Sequence, residues 1–188
     1  MWRHLPNLIS ILRLLLVLPV FRLIESQRYA EALGLAALAG ASDAVDGFLA
    51  KRYGWQSRLG GMLDPLADKM LLLACFAGLV LVDALPLWLL VLVVGRDLVI
   101  VAGAVAYHNL VGPFDAAPTL LSKATTAVQI ACVLVVLLGL AWLPGLPGID
   151  VLFVLTAVIT LASGLHYVVV WSLRAVRTVR ARNGEPPR

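Results

Sequence analysis

The sequence predicts an all-α integral membrane protein with six transmembrane helices. Hydrophobic residues make up 61% of the 188 residues and charged residues 14%, whereas soluble domains have roughly half and a quarter. Six apolar runs each approach the roughly 20 residues that a helix needs to cross a bilayer. Because backbone groups in lipid must be paired within their own segment, and the runs lack the alternation of barrel strands, they predict helices.

A polar or turn-forming segment separates each apolar run from the next. Among the residues that separate them are Arg28, the basic stretch 51–58, Asp83 and LPGLPGID. Internal repeats and long linkers are not visible, so we expect residues 1–188 to form a single membrane domain. The predicted spans are residues 7–25, 30–50, 62–82, 85–107, 120–141 and 149–173.

Lysine and arginine residues are concentrated on one side of the predicted spans, at Arg3, Lys51, Arg52, Arg58, Lys123, Arg174, Arg177, Arg180, Arg182 and Arg188. On the opposite side, Arg22 and Arg28 are offset by Glu25 and Glu31. Cytoplasmic loops carry an excess of Lys and Arg, so both termini are predicted to be cytoplasmic, in the inner membrane of a bacterium. The net charge of +4 follows from this topology and indicates no nucleic-acid partner. The arginines after residue 173 are expected to form a solvated, disordered end or to contact anionic headgroups.

Four aspartates lie where the second and third runs meet the basic connection. Asp43 and Asp46 are three residues apart and Asp64 and Asp68 four apart, so each pair shares one face of a helix. An ionised carboxylate beside the hydrocarbon is costly unless it is paired or faces water. Two antiparallel helices joined by a short turn would bring all four carboxylates around one pocket at the cytoplasmic surface, where they repel one another unless cations lie between them.

Carboxylates without Cys or His are ligands typical of Mg²⁺ or Mn²⁺. Because Mg²⁺ completes its coordination shell with water and substrate phosphates, we expect a pocket for a pyrophosphate or a nucleotide. Two simpler interpretations stay open for single residues. Asp64, directly before Pro65, could be the N-cap of the third helix, and Asp43 could be a solvated residue in a polar vestibule.

The aspartate segment resembles the signature of the CDP-alcohol phosphatidyltransferases, D-x-x-D-G-x-x-A-R, then eight residues, then G-x-x-x-D-x-x-x-D. Every spacing is kept, and Lys51 stands where the family usually has arginine, with Arg52 beside it. The segments LPNLISILRLLL, LDPLADK, GRD at 95–97 and SKATTAVQ at 122–129 extend the likeness over nearly the whole chain. The signature is filled by Asp43, Asp46, Gly47, Ala50, Lys51, Gly60, Asp64 and Asp68.

The resemblance implies an enzyme that attacks the lipid-side phosphorus of CDP-diacylglycerol with an alcohol hydroxyl and releases CMP. It implies that Asp68 is the catalytic base that accepts the hydroxyl proton. The implied metal ligands are Asp43, Asp46, Asp64 and Asp68. The implied contacts with the cytidine and its phosphates are Gly47, Ala50, Lys51, Arg52, Arg58 and Gly60.

Further candidates for substrate binding are Arg96 and Lys123, together with Asn7, Arg13 and Asp97. They lie at cytoplasmic ends of the predicted helices, where the phosphate of an acceptor would sit. Each also has a simpler interpretation as an interfacial anchor or as an internal ion pair, for example Arg96 with Asp97.

The acceptor is predicted from the fourth and fifth spans. Phosphatidylglycerophosphate synthases, which use glycerol 3-phosphate, typically carry RE where this chain has RD, and a further LRE where it has Ala104. A missing cation suits a lipid acceptor better than a dianionic phosphate, and GRDLVI and PTLLSKATTAVQ resemble the cardiolipin synthases of the family. Phosphatidylglycerol is therefore favoured as the acceptor over glycerol 3-phosphate.

Two other expectations concern assembly and an alternative function. Glycines on the helix faces are expected to serve as contacts in a homodimer like those known in the family. A divalent-cation carrier is the alternative from another class, but it would need acids near the bilayer midplane on broken helices and inverted repeats, which the sequence does not show.

Overall fold

The computed structural model describes residues 5–53, 60–110, 112 and 119–182. Each of the six predicted spans corresponds to one helix, and the ends of the first five helices differ from the predicted ends by at most three residues. The helices are α1 (Leu5–Glu25), α2 (Tyr29–Tyr53), α3 (Gly60–Leu81), α4 (Leu87–Leu110), α5 (Leu120–Trp142) and α6 (Ile149–Arg182).

The last helix is longer than predicted, because it continues to Arg182. The expectation of a disordered end directly after residue 173 is therefore wrong for residues 174–182. These nine residues are only Arg, Ala, Val and Thr, none of which breaks a helix, whereas Asn183 and Gly184 come next. At 34 residues, α6 is about 51 Å long and exceeds the roughly 30 Å of a bilayer's hydrocarbon.

Within the part of the chain that the structure describes, three helices are long and apolar enough to cross a membrane. They cover Leu87–Asn109, Leu120–Trp142 and Ile149–Arg174, with mean hydropathies of 2.3, 2.3 and 2.0. For the described residues, an all-helical fold with three helices apolar enough to span a membrane is therefore confirmed. The six spans and the cytoplasmic termini stay predictions.

The two faces of α6 have the polarity expected in lipid. Thr156, Thr160 and Ser163 are at most 3% exposed. Between residues 151 and 165 the large side chains that α6 exposes are all apolar: Val151, Val154, Leu155, Val158, Leu161 and Leu165. A helix of a water-soluble protein has the opposite arrangement, whereas small and hydroxyl side chains are typical of helix contacts inside a membrane.

Three buried threonines of α5 and α6 bond to their own helices. Thr125, Thr156 and Thr160 each donate to the carbonyl four residues earlier, at 2.8, 2.8 and 2.7 Å. Between the helices, Gln129 Nε2 donates to Thr160 Oγ1 at 3.1 Å. Thr119 caps the start of α5, because its hydroxyl accepts the amide of Ser122 at 3.2 Å.

The helices form two compact units. One contains residues 1–90 and 130–149, and the other contains residues 91–129 and 150–188. The first holds α1, α2, α3 and the second half of α5, and therefore also the aspartates of the family signature.

In the first unit, α1 packs against both α2 and α3. A Cβ placed on Gly78 of α3 would lie 3.1 Å from Ile24 Cγ2, so the two helices approach closely there. Three contacts between α1 and α3, at Ser10, Arg13 and Ile24 of α1, join residues 54 or 55 positions apart, which makes the two helices parallel. The two helices also end in the same way. A residue with left-handed backbone follows each of them, Gln27 after α1 and Asp83 after α3 (φ 59° and 57°). The amide of the next residue, Arg28 or Ala84, then donates to the carbonyl five residues earlier at 2.9 Å.

Candidate active site

Asp64 and Asp68 are both placed by α3. The helix begins at Gly60, so Asp64 is its fifth residue, and the interpretation of Asp64 as the N-cap is wrong. Pro65 is the sixth residue of α3, beyond the first turn, so its missing amide removes one hydrogen bond from the helix. Both carboxylates are half-buried, with 45% of the Asp68 side chain exposed.

The neighbouring helix α1 supplies a donor to each of these carboxylates. Ser10 Oγ donates to Asp64 Oδ1, and Arg13 Nη1 donates to Asp68 Oδ1 at 2.5 Å. Ser10 is 1% exposed and Arg13 2% exposed. A three-residue step on α1 matches a four-residue step on α3 because either step advances a helix by about one turn.

Sequence reasoning named Arg13 as a weaker candidate and missed Ser10. The signal for Ser10 was present, since it lies three residues before Arg13 in an otherwise apolar stretch and therefore on the same helical face. The ion-pair interpretation proposed for the weaker candidates is confirmed for Arg13, whose partner is Asp68. Burial makes this pairing necessary, because an unpaired guanidinium inside the protein would be very costly.

An apolar cavity of about 130 Å³ begins at Asp68. The other lining residues are small or aliphatic: Ala36 and Gly40 from α2, Leu71, Leu72 and Cys75 from α3, and Ile130, Val133 and Leu134 from α5. Along α3 the lining runs from Asp68 to Cys75, about two helical turns. One aspartate of the signature therefore lines a cavity whose other walls are apolar.

Several predicted site residues belong to segments whose side chains lie outside the described part of the structure. The helix α2 continues to Tyr53, so residues 51–53 of the predicted connection 51–58 belong to the helix. The residues concerned are Asp43, Asp46, Gly47, Ala50, Lys51 and Arg52 on α2, Arg58 in the connection, and Gly60 at the start of α3.

The four-carboxylate metal cluster therefore stays a prediction. Among the side chains that the structure describes, no group of three or more His, Cys, Asp or Glu is found, and Asp43 and Asp46 are not among them. The chemistry of the donors fits the predicted ions, because Asp64 and Asp68 are one helical turn apart on α3 and Mg²⁺ and Mn²⁺ prefer carboxylate oxygens.

Arg96 lies in the second unit, where it joins three helices. Its guanidinium donates to Asp97 at 2.8 Å, to Ser122 of α5 at 2.7 Å and to Ser163 of α6 at 2.8 Å. Only 5% of its side chain is exposed. The ion pair with Asp97 is confirmed, and a contact between Arg96 and substrate stays a prediction.

Lys123 lies in the first turn of α5, beside Ser122, and it is exposed. The predicted site residues thus fall in both units, with Asp64 and Asp68 in one and Arg96 and Lys123 in the other. A role for Lys123 in substrate binding stays a prediction.

The sequence model of the family described as CDP-alcohol phosphatidyltransferase matches residues 3–166. This chain belongs to the CDP-alcohol phosphatidyltransferase family. The match includes all eight positions of the signature and also Ser10, Arg13, Arg96 and Lys123. Membership argues against the cation carrier, because the family is one of transferases.

Named relatives of the chain include enzymes with two different acceptors. A rat protein named cardiolipin synthase (CMP-forming) is 37% identical over 68% of this chain, and a fruit-fly protein named probable cardiolipin synthase (CMP-forming) is 34% identical over 87%. A chloroplastic rice protein named CDP-diacylglycerol–glycerol-3-phosphate 3-phosphatidyltransferase 1 is 46% identical over 54%. The alignments cover 48%, 56% and 31% of these proteins' own lengths, so the chain spans about half of the two cardiolipin synthases.

Proposed function

We propose that this chain transfers the phosphatidyl group of CDP-diacylglycerol to phosphatidylglycerol, forming cardiolipin and releasing CMP. The observation that carries the proposal is the position of Asp68 in the wall of the apolar cavity between α2, α3 and α5. A carboxylate that can accept a proton lies there beside apolar space that fits part of an acyl chain. Each buried CH₂ contributes about 0.8 kcal/mol to binding, so a lipid substrate can be held largely by its hydrocarbon.

The reaction needs one proton acceptor and one leaving group. A hydroxyl oxygen of phosphatidylglycerol attacks the lipid-side phosphorus of CDP-diacylglycerol, and the bond from that phosphorus to the oxygen bridging to CMP breaks. CMP leaves with the electron pair, and Asp68 accepts the hydroxyl proton. Arg13 holds one oxygen of Asp68 at 2.5 Å, so the base has a fixed position relative to the cavity.

Asp43, Asp46, Asp64 and Asp68 would hold one or two Mg²⁺ or Mn²⁺ ions. When bound, these ions neutralise charge on the leaving CMP. The residues proposed to contact the nucleotide are Gly47, Ala50, Lys51, Arg52, Arg58 and Gly60. We place this site at the cytoplasmic face of a bacterial inner membrane, where water-soluble CMP can leave.

A second acceptor, glycerol 3-phosphate, is favoured by the similarity to the rice enzyme, whose name states that acceptor. That similarity covers 54% of the chain, whereas the similarity to the fruit-fly cardiolipin synthase covers 87%. Ala104 on α4 also supplies no cation for a phosphate acceptor. Phosphatidylglycerol is therefore the acceptor that the observations support better.

The acceptor is tested by giving the purified protein CDP-diacylglycerol and Mg²⁺ or Mn²⁺ with either phosphatidylglycerol or glycerol 3-phosphate. The lipid product is identified by mass spectrometry. We expect cardiolipin from the first mixture. Phosphatidylglycerophosphate from the second mixture, with no cardiolipin from the first, would establish the other acceptor. Metal-dependent binding of CMP would distinguish either transferase activity from a cation carrier, because a carrier has no need of a nucleotide.

The roles of the aspartates are tested by Asp46→Asn and Asp64→Asn. We expect turnover to fall by roughly 100- to 1,000-fold, the size seen when one preorganised electrostatic group is removed, while insertion and folding are retained. Asp83→Asn is the matched control, because Asp83 is exposed in the turn after α3. Turnover that persists after treatment with a chelator would contradict the metal requirement.

A further inference from the structure

Helix α1 donates hydrogen bonds to Asp64 and Asp68 at one end of its seam of contact with α3. Both donors are almost fully buried, and both bonds end on an Oδ1 atom. At the other end of the same seam, the contact is between Ile24 and Gly78. Two buried donors of α1 thus lie beside the two signature aspartates.

We propose that Ser10 and Arg13 are positioning residues of the active site. Each holds one carboxylate oxygen of an α3 aspartate and thereby fixes the orientation in which Asp64 and Asp68 meet the metal ions and the acceptor hydroxyl. This inference rests on the proposed function, because it assigns to α1 a part in the same site.

Stability alone gives a poor account of a buried arginine at this position. A well-packed apolar pair is often as stabilising as a buried ion pair, or more so, and hydrogen bonds between membrane helices contribute only about 0.6 kcal/mol on average. An aliphatic residue in place of Arg13 would suit a seam whose purpose was packing. A guanidinium at 2.5 Å from a signature carboxylate instead restricts the rotamers of that carboxylate.

Orientation matters more for a metal ligand than for an ordinary surface carboxylate. Groups that hydrogen-bond to metal ligands fix the ligand's geometry, and their removal costs roughly 10- to 100-fold in metal affinity or activity. Ser10 is the cleaner test of this effect, because its hydroxyl is neutral and its removal changes no charge. Arg13 also orients Asp68, the proposed base, so replacing Arg13 should lower kcat as well.

The experiment measures Mn²⁺ binding to the purified protein by electron paramagnetic resonance, without any lipid substrate. We expect Ser10→Ala and Arg13→Gln to weaken Mn²⁺ binding about 10-fold or more, and Ser10→Thr to restore it because the hydroxyl is retained. The control is Arg22→Gln on the same helix, whose ion pair with Glu25 is exposed and distant from the aspartates. Thermal unfolding of each variant verifies that it is folded.

Turnover supplies the second readout. Loss of orientation should lower kcat and leave KM for CDP-diacylglycerol within about twofold, whereas a general loss of folded protein would lower the amount of active enzyme in proportion to the unfolded fraction. If Arg13→Gln does not fold, the comparison of Ser10→Ala with Ser10→Thr decides alone. Folded Ser10→Ala with wild-type Mn²⁺ affinity and kcat overturns the proposal, as does a wild-type protein that binds no Mn²⁺.

Failure of the proposed function would look different. A wild-type protein that binds Mn²⁺ but makes no cardiolipin refutes the assigned acceptor, and weakened Mn²⁺ binding in the Ser10 and Arg13 variants would still support the positioning role.

Discussion

The close approach of α1 and α3 at Gly78 predicts that a single added methyl group destabilises the protein. A Cβ at residue 78 would lie 3.1 Å from Ile24 Cγ2 and 3.2 Å from Ile24 Cβ, closer than the roughly 3.5–4.0 Å that is optimal for two carbon atoms. Ile24 is fully buried and β-branched, so its side chain cannot easily move away. Gly78→Ala must therefore either separate the helices or strain the isoleucine.

The expected size follows from two opposing effects. Overpacking costs about 1–3 kcal/mol, and alanine in place of glycine within a helix recovers about 0.5–1 kcal/mol. Taking the middle of each range, we expect a net loss of about 1 kcal/mol in the free energy of unfolding. Gly34→Ala on α2 is the matched control, because nothing lies within 4 Å of its added Cβ, and it should stabilise the protein by about 0.5–1 kcal/mol.

Both variants can be measured by reversible unfolding in mixed detergent and SDS micelles, with Gly78→Ala/Ile24→Ala as a double variant. Removing the isoleucine side chain should make the alanine at 78 less harmful than it is in the wild-type background. A Gly78→Ala protein as stable as Gly34→Ala would refute the close packing of α1 on α3, and with it the register that aligns Ser10 and Arg13 with the aspartates.

Three further predictions concern other parts of the chain. Arg96→Met should destabilise the protein by about 2–4 kcal/mol, because it removes the guanidinium that donates hydrogen bonds to Asp97, Ser122 and Ser163. Arg28→Met, at an exposed ion pair, should have little effect in the same unfolding assay. Cysteines introduced at Arg58 and Pro147 should react with a membrane-impermeant reagent from opposite sides, and reaction from the same side would contradict the predicted topology. Ala104→Arg should improve turnover with glycerol 3-phosphate if residue 104 faces the pocket, and unchanged kinetics would place it elsewhere.

The helices were predictable from the sequence because each apolar run is bounded by residues that a hydrocarbon environment excludes. The end of α6 was not, since residues 174–182 are charged enough to leave the membrane and yet contain no residue that stops a helix. Hydropathy indicates where a segment meets water, whereas the end of a helix depends on the helix propensity of its residues. The end of an apolar run and the end of its helix coincide only when a helix-breaking residue lies at the membrane surface.

The partners of the site residues were only partly predictable. The pair Arg96 and Asp97 is adjacent in sequence and was foreseen, but Ser122 and Ser163 join it from other helices. Ser10 lies 54 residues from Asp64, and spacing within one helix carries no information on which other helix lies opposite. The signature identified the aspartates through resemblance, and the residues that hold them became visible only through tertiary contacts.

The threonine hydroxyls of α5 and α6 have a consequence for how the protein is made. Each of the three buried threonines satisfies its hydroxyl on a carbonyl of its own helix. These three hydroxyls are therefore already paired when each helix leaves the translocon, which lowers the cost of inserting α5 and α6 one after the other before they associate. The bond between Gln129 and Thr160 can form only in that second step. Gln129→Leu should therefore leave the efficiency of insertion unchanged and affect the association of the inserted helices.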